Sequence, residues 1–299
     1  MNTLPSHRAP SVSSSPRRKA LITLVIGESY QRTFEQYFAG RLQQYAHRIG
    51  ADVVVITAPL DLSIRAQGRS PSWQKCLTYR HPEVADYEQV AWIDSDIAVR
   101  PDAPSIFEGV PLDKIGAVND YASPTPEDYT ESLLRLYRHW DQEGVKYISN
   151  LTPRQYHGNF GLEAPFDGVV QCGVIVFSPR IHARVFESAY NNHEDKGGAE
   201  WNYEMRPLSY EAQKAGCVQW ICPKFNATWL QHEQIYYPFL SIRSSQLLDK
   251  VLRRIDGGRR DKDLRTACVQ AAFRNNYFLH FSGGSTDYQL LPKFDDTQK

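Results

Sequence analysis

Between Ala20 and Gly27 the chain reads ALITLVIG, an apolar and β-branched run without polar alternation. Runs of that kind form strands covered on both faces, as in parallel sheets. The next stretch changes period. In SYQRTFEQYFAGRLQQYAHRIG, Phe34, Tyr37, Phe38, Leu42 and Tyr45 recur near helical spacing, and Gly50 supplies a stop. ADVVVIT then predicts a second buried strand, and the β-α-β opening predicts a parallel sheet with right-handed crossovers. Trp73–Tyr79 predicts a helix, EQVAWID a third strand, KIGAVND a fourth, and GVVQCGVIVFSP (Gly168–Pro179) another buried strand. A helix is expected over Ile181–Asn191. RPLSYEAQKAG predicts one that stops at Gly216, and VQWICP a short strand.

Other segments break the pattern. Tyr121–Ala164 is polar and aromatic and reads as a loop-rich insertion. NNHEDKGGAEWN carries Gly197 and Gly198 and reads as a lid. Arg243–Arg274 predicts two helices around DGGRRD, and nine Lys/Arg against four Asp make it a basic insertion. Residues 1–19, rich in Ser, Pro and Arg, read as a disordered tail ahead of one domain over 20–299. The expected class is α/β, with a mixed, mainly parallel sheet flanked by helices.

Composition narrows the partners. The 34 basic and 34 acidic residues balance, which argues against nucleic acid, because phosphate binding leaves a basic excess. The five cysteines form no CxxC pair and read as reduced, mostly buried thiols, so a cytoplasmic location is expected. The Asn-x-Thr sequons at Asn150 and Asn226 then read as chance matches. No run of 18 apolar residues predicts a membrane span, so contact with a membrane is expected to be peripheral at most.

The candidate chemistry lies in AWIDSDIAV. An apolar strand runs into Asp94 and Asp96, and buried charge is costly unless it is paired or ligated. Alternation along an extended segment points both carboxylates to one side, at the strand end where open α/β sheets place ligands. Two such carboxylates suit a hard cation such as Mg²⁺ or Mn²⁺. The same letters also fit a capped turn, or a phosphatase with Asp94 as nucleophile and Asp96 as acid/base. Against the phosphatase, the motif follows at least two strands, Ala98 stands where Thr or Val is usual, and no GDxxxD follows.

TLVIGESYQ, WQKCL, WIDSDIAV, VVQCGVIVFSP, EMRPLS and LHFSGG occur in that order from Thr23 to Gly284. The series resembles the GT-A glycosyltransferases of the glycogenin and lipooligosaccharide galactosyltransferase type. WIDSD and HFSG are also similar to the mannan and xyloglucan α-glycosyltransferases. The resemblance implies a Rossmann-like nucleotide-diphospho-sugar transferase fold and a metal-dependent, retaining transfer from a UDP-sugar. In that reading Tyr30 stacks on uracil and Lys75 lies near the nucleotide sugar. Asp94 takes metal and ribose, and Asp96 and His280 complete a metal shell in which an imidazole suits Mn²⁺. Gly283 and Gly284 let backbone N–H groups approach the diphosphate.

Several positions depart from the family. Its NAG is Gln171–Cys172–Gly173 here, and Gln171 still offers an amide to the sugar. Its DQ is Glu204–Met205, so the glutamine beside the anomeric carbon is missing and Glu204 becomes the candidate carboxylate. A helix N-terminal charge is the plain alternative for Glu204. The KPW after the late histidine is absent, with Lys293 a remote substitute. These departures leave open a sugar-nucleotide binding protein without transfer activity. The acceptor, a saccharide, lipid-linked or protein group, is expected to meet Tyr121–Ala164 and 191–202, where Tyr129, Tyr137, Trp140 and Trp201 offer stacking faces.

Overall fold

The near-continuous apolar strands assemble as their composition demands, with both faces of one sheet covered by helices. The computed structural model describes residues 19–144, 150–163, 165–194, 203–240 and 259–294. The expected tail, Gly197, Gly198, Trp201 and the first half of the basic segment lie outside the described residues. The six-stranded sheet has the order β2-β1-β3-β6-β5-β7. Its strands are β1 (Lys19–Leu24), β2 (Asp52–Ile56), β3 (Gln89–Ile93), β5 (Ile115–Asn119), β6 (Val170–Phe177) and β7 (Val218–Trp220). β6 runs antiparallel to both of its neighbours, while the other pairings are parallel, as expected for a mixed sheet. A second sheet of three short strands joins β4 (Ile97–Val99), β9 (Phe278–His280) and β8 (Ala227–Thr228) in that spatial order.

Strand alternation divides the core into two layers. Leu21, Ala91, Ile93, Val174 and Val176 face Phe34, Phe38, Leu42 and Tyr45 of the first helical region and Val269 and Phe273 of the Arg259–Asn275 helix. Ala20, Ile22, Val90, Trp92, Ile175 and Phe177 face Trp73, Phe186, Tyr190 and Leu208 on the other side. The first helical region is one run from Glu28 to Ile49 with a π-helical turn at Glu35–Ala39. Gly50 ends it in the left-handed conformation, at φ 66°.

The helix expected over Trp73–Tyr79 is observed as a longer 3₁₀ helix, Pro71–Arg80. Two expectations are corrected. Tyr121–Ala164 is not loop-rich: it holds helices at Pro126–Glu143 and Pro153–Gly158, each with Pro in the first turn and a capping threonine, Thr125 and Thr152. The second half of the basic segment is helical, as expected. Its helix, Arg259–Asn275, buries Cys268, Val269, Ala272 and Phe273, and Arg265 there pairs with Glu233 at 3.1 Å and Asp287 at 2.6 Å. KIGAVND forms β5 rather than the fourth strand, because Ile97–Val99 makes a separate short strand directly after the aspartates.

The cysteines are all free, and Cys222 is the exposed one. Among the described residues no helix is long and apolar enough to cross a membrane.

Candidate metal and nucleotide-sugar site

β3 lies between β1 and β6 and ends at Ile93, so Asp94 emerges at the carboxyl edge in the middle of the sheet. The Asp94 N–H donates to the Gly173 carbonyl at 2.8 Å, tying that end to β6. The aspartates do not sit in an extended segment, as alternation alone would have them. The Ile97 N–H donates to the Asp94 carbonyl at 3.2 Å, closing a turn through Ser95 and Asp96. The turn still brings the two carboxylates to one place.

The third member arrives through the small sheet. β4 and β9 pair antiparallel with Ile97 opposite His280, and the Phe281 N–H donates to the Asp96 carbonyl at 3.0 Å. His280 Nε2 thus lies 3.2 Å from Asp96 Oδ1 and 3.9 Å from Asp94 Oδ2. One ligand atom from each of the three lies within 4.8 Å of the others. Two carboxylates and one imidazole form a donor set that fits a divalent ion accepting oxygen and nitrogen, Mn²⁺ better than Mg²⁺. These are the three residues that the resemblance named, and the structure brings them together.

The electrostatics follow from burial and neighbours. Burial raises the pKa of Asp94 above the usual carboxylate range, and Lys75 and His280 only partly offset it. Asp96 is held below that range because His280 beside it outweighs burial. Burial opposes protonation of His280, yet Asp96 lifts its pKa above the ordinary imidazole value. The Asp96 side chain is 42% exposed against 5% for His280, so one carboxylate faces outward while the imidazole is walled in.

Lys75 is not a surface lysine. It is 3% exposed, and its Nζ lies 3.0 Å from Asp94 Oδ1, 2.6 Å from Glu204 Oε1 and 2.9 Å from the Cys172 carbonyl. Burial alone would lower its pKa, but the two carboxylates hold the ammonium firmly charged. Trp92, two residues before Asp94 on the same strand face, donates its indole N–H to Asp94 Oδ1 at 2.7 Å. Glu204 is the N-cap of the Met205–Lys214 helix, but its side chain does not cap it. It turns inward to Lys75 and leaves Oε2 buried without a partner.

The remaining candidates fall into place unevenly. Tyr30 is 70% exposed just beyond the end of β1, so it is not a core aromatic. Gly283 and Gly284 adopt φ of 73° and 75° directly after the His280 strand, and a Cβ on either would meet open space. Their backbone conformation, not crowding, calls for glycine there. Gln171 commits its Oε1 to the Gly173 N–H at 2.6 Å and to the Asn226 side-chain amide. Any direct contact with a sugar therefore falls to its Nε2. Lys293 lies beside Arg41 and Phe294, lining a different cavity.

Sequence reasoning missed three groups here. Asn226, read as a chance sequon, is 2% exposed and its Oδ1 meets His280 Nδ1 at 3.0 Å. The signal was its place two residues before Thr228, which pairs with His280 in β8, but that pairing has no local signature. Asp120, just past β5, is buried, bonded by the Tyr129 hydroxyl at 2.7 Å, and burial lifts its pKa to about 6. Gly173 was read only within a motif. A Cβ there would stand 2.7 Å from His280 Nδ1, so the imidazole lies directly on this backbone.

Tyr129 is 4% exposed and packs with Tyr121, Leu133 and Val169, which removes it as a stacking platform. A cavity of about 560 Å³ opens instead along β8 and the Trp229–Tyr236 helix, lined by Ser123, Thr228, Gln231, His232, Tyr236 and Asn276 among others.

No family model matches the sequence, and no curated protein matches it. Solved structures similar to the chain include a glycosyltransferase involved in glycosylation of the major capsid of PBCV-1, at 10% identity and a TM-score of 0.47, covering 91% of this chain and 96% of that one. The galactosyltransferase LgtC, in complex with donor and acceptor sugar analogs, is similar at 12% identity and 0.44, covering 89% and 87%. The bifunctional glycosyltransferase WbbM is similar at 12% and 0.41, covering 93% of this chain and 47% of that one.

Proposed function

We propose that the protein is a divalent-cation-dependent glycosyltransferase that moves a sugar from a UDP-sugar to an acceptor hydroxyl with retention of configuration. The observation that carries this reading is the meeting of Asp94, Asp96 and His280 within 4.8 Å, at the sheet edge where the motif series placed them. Asp94, Asp96 and His280 would hold the ion, Mn²⁺ by their donor chemistry. When bound, such an ion neutralises charge growing on the departing diphosphate.

The chain's own residues supply the rest. Tyr30, exposed past β1, offers its ring to the base, and the Gly283–Gly284 turn offers backbone N–H groups to the diphosphate. Lys75 fixes Asp94 from beneath and holds Glu204 with one carboxylate oxygen still unpartnered. Glu204 is 3% exposed, so it acts on the reacting face through Lys75 and Asp94 rather than by direct contact with a sugar hydroxyl. The 560 Å³ cavity suits a saccharide acceptor. Its His232 is uncharged near neutral pH because burial lowers its pKa to about 4, and the lining mixes amides, hydroxyls, a tyrosine face and one cation, Lys224.

Incubation with a panel of nucleotide sugars and Mn²⁺ tests the proposal. Release of UDP, dependent on Mn²⁺ and lost in Asp96→Ala, is the expected result. Saturable UDP binding with no UDP release, even with saccharide acceptors present, would leave a binding protein and overturn the transferase. Phosphate release from simple esters would favour the phosphatase.

A further inference from the structure

His280 can serve a cation only through a bare Nε2, and a neutral imidazole carries its proton on either nitrogen. Three hydrogen bonds in series decide which. The Gly173 backbone N–H, which can only donate, points at Gln171 at 2.6 Å, so the facing atom is the oxygen Oε1. That oxygen also meets the Asn226 side chain, whose facing atom must therefore be the donor Nδ2. The other end of the same amide, Oδ1, then faces His280 Nδ1 at 3.0 Å, and an oxygen can only accept. Nδ1 therefore carries a proton. Nε2 points at Asp96 and Asp94, and the proton it shares with the Asp96 carboxylate in the ion-free protein must leave before it can meet a cation.

Burial keeps water from substituting at Asn226 and His280, while Gln171 is half-buried. Asn226 is 2% exposed and His280 4%, and the ring is pressed on the Gly173 backbone, where a Cβ would come within 2.6 Å of Cε1. An asparagine whose function was only to be satisfied in the interior would not need its two ends oriented. Here one orientation is imposed by a backbone donor two links away.

We infer that Asn226 is a positioning residue, and that the relay Gly173 N–H, Gln171, Asn226 fixes the His280 tautomer that presents Nε2 to a divalent cation. This rests on the cation reading of the Asp94–Asp96–His280 cluster. It assigns a role to the sequon asparagine and gives Gln171 a task distinct from sugar contact.

The test uses the full chain and Mn²⁺ alone. Binding is read by the loss of the free Mn²⁺ electron paramagnetic resonance signal, the tautomer by ¹⁵N shifts of labelled histidine, and folding by circular dichroism. Wild type is expected to bind Mn²⁺ and, without it at high pH, to show His280 protonated on Nδ1. Asn226→Leu, close in volume, is expected to remain folded, lose that tautomer preference and bind Mn²⁺ about 10–100-fold more weakly. Gln171→Met is expected to lose several-fold, because it frees Asn226 to flip. Gln171→Glu keeps the acceptor oxygen and is expected to bind at least as tightly as wild type. Should Asn226→Leu fail to fold, the two Gln171 variants decide.

Wild type that binds no Mn²⁺ overturns the cation reading itself. Wild type that binds, together with Asn226→Leu or Gln171→Met of unchanged affinity and tautomer, overturns the relay and leaves the cation reading standing. Equal losses in Gln171→Met and Gln171→Glu also overturn it.

Discussion

Lys75 Nζ lies 2.6 Å from Glu204 Oε1 in the interior, and both side chains are 3% exposed. The same ammonium reaches Asp94, so one buried cation balances two carboxylates, one from a strand end and one from a helix start. Removing one partner of such a cluster leaves uncompensated charge in a poorly solvating place. Lys75→Met is expected to lower stability by about 3–5 kcal/mol. Lys75→Met combined with Glu204→Gln recovers part of that loss. Urea midpoints of the two variants check the prediction, and a single variant as stable as wild type would refute it.

Tyr30 makes the opposite case. A side chain 70% exposed contributes little to folding, so Tyr30→Ala is expected to change stability by less than about 0.5 kcal/mol. If the ring stacks on the donor base, its loss removes about 1–3 kcal/mol of binding. That corresponds to a rise of roughly 5–150-fold in the Kd for UDP. Calorimetric titration with UDP and Mn²⁺ is the check, and an unaltered Kd would remove Tyr30 from the site.

Gly173 is where backbone and imidazole touch. An alanine methyl would meet His280 Cε1 at 2.6 Å and Nδ1 at 2.7 Å, distances that real contacts do not show. The ring must move, and with it Nε2. Gly173→Ala is expected to weaken Mn²⁺ binding by at least about tenfold. A crystal structure of the variant with Mn²⁺ would show the displaced ring, and an unmoved ring with full affinity would contradict the expectation.

His157 gives stability a pH dependence unrelated to the site. It is fully buried among aromatic rings, both ring nitrogens lack a hydrogen-bond partner, and burial lowers its pKa to about 4. The unfolded value is near 6.5. Between the two, the unfolded chain binds the extra proton, so stability from this group is full above about 6.5 and lost as pH falls toward 4. Asp120, with its pKa raised to about 6, acts in the opposite sense, since its folded form holds the proton longer. The drop in unfolding free energy between pH 7.5 and 4.5 is expected to be smaller in His157→Phe than in wild type, by about 2 kcal/mol. Equal drops would show that the imidazole is already hydrated or paired.

The local patterns were legible where a local cause acts. β1, β3 and β6 were read from apolar runs because strands covered on both faces need no polar positions, whereas β2, equally apolar, lies at the sheet edge and leaves Val55 39% exposed. The helices inside 121–164 were missed although Thr125–Pro126 and Thr152–Pro153 are start signals and Tyr129, Leu133, Leu136, Tyr137 and Trp140 recur at helical spacing, because the segment's polar, aromatic composition outweighed that period in the reading. The short strand at Ile97–Val99 was missed because its existence depends on a partner some 180 residues away. That Lys75 pairs with Asp94 and Glu204 was not legible for a similar reason, since both of its carboxylate partners lie on other elements.

By itself the sequence determined the α/β class, the aspartate pair at a strand end and the late histidine that matches it. Tertiary structure decided that the three meet, through the antiparallel register of Ile97 against His280. It also decided that Asn226, not any residue near His280 in the chain, orients the imidazole. Helical and strand periods are set by interactions a few residues apart, and so appear in the letters. Which strand edge pairs with which is set by the burial of whole faces, and no short stretch of sequence carries that information.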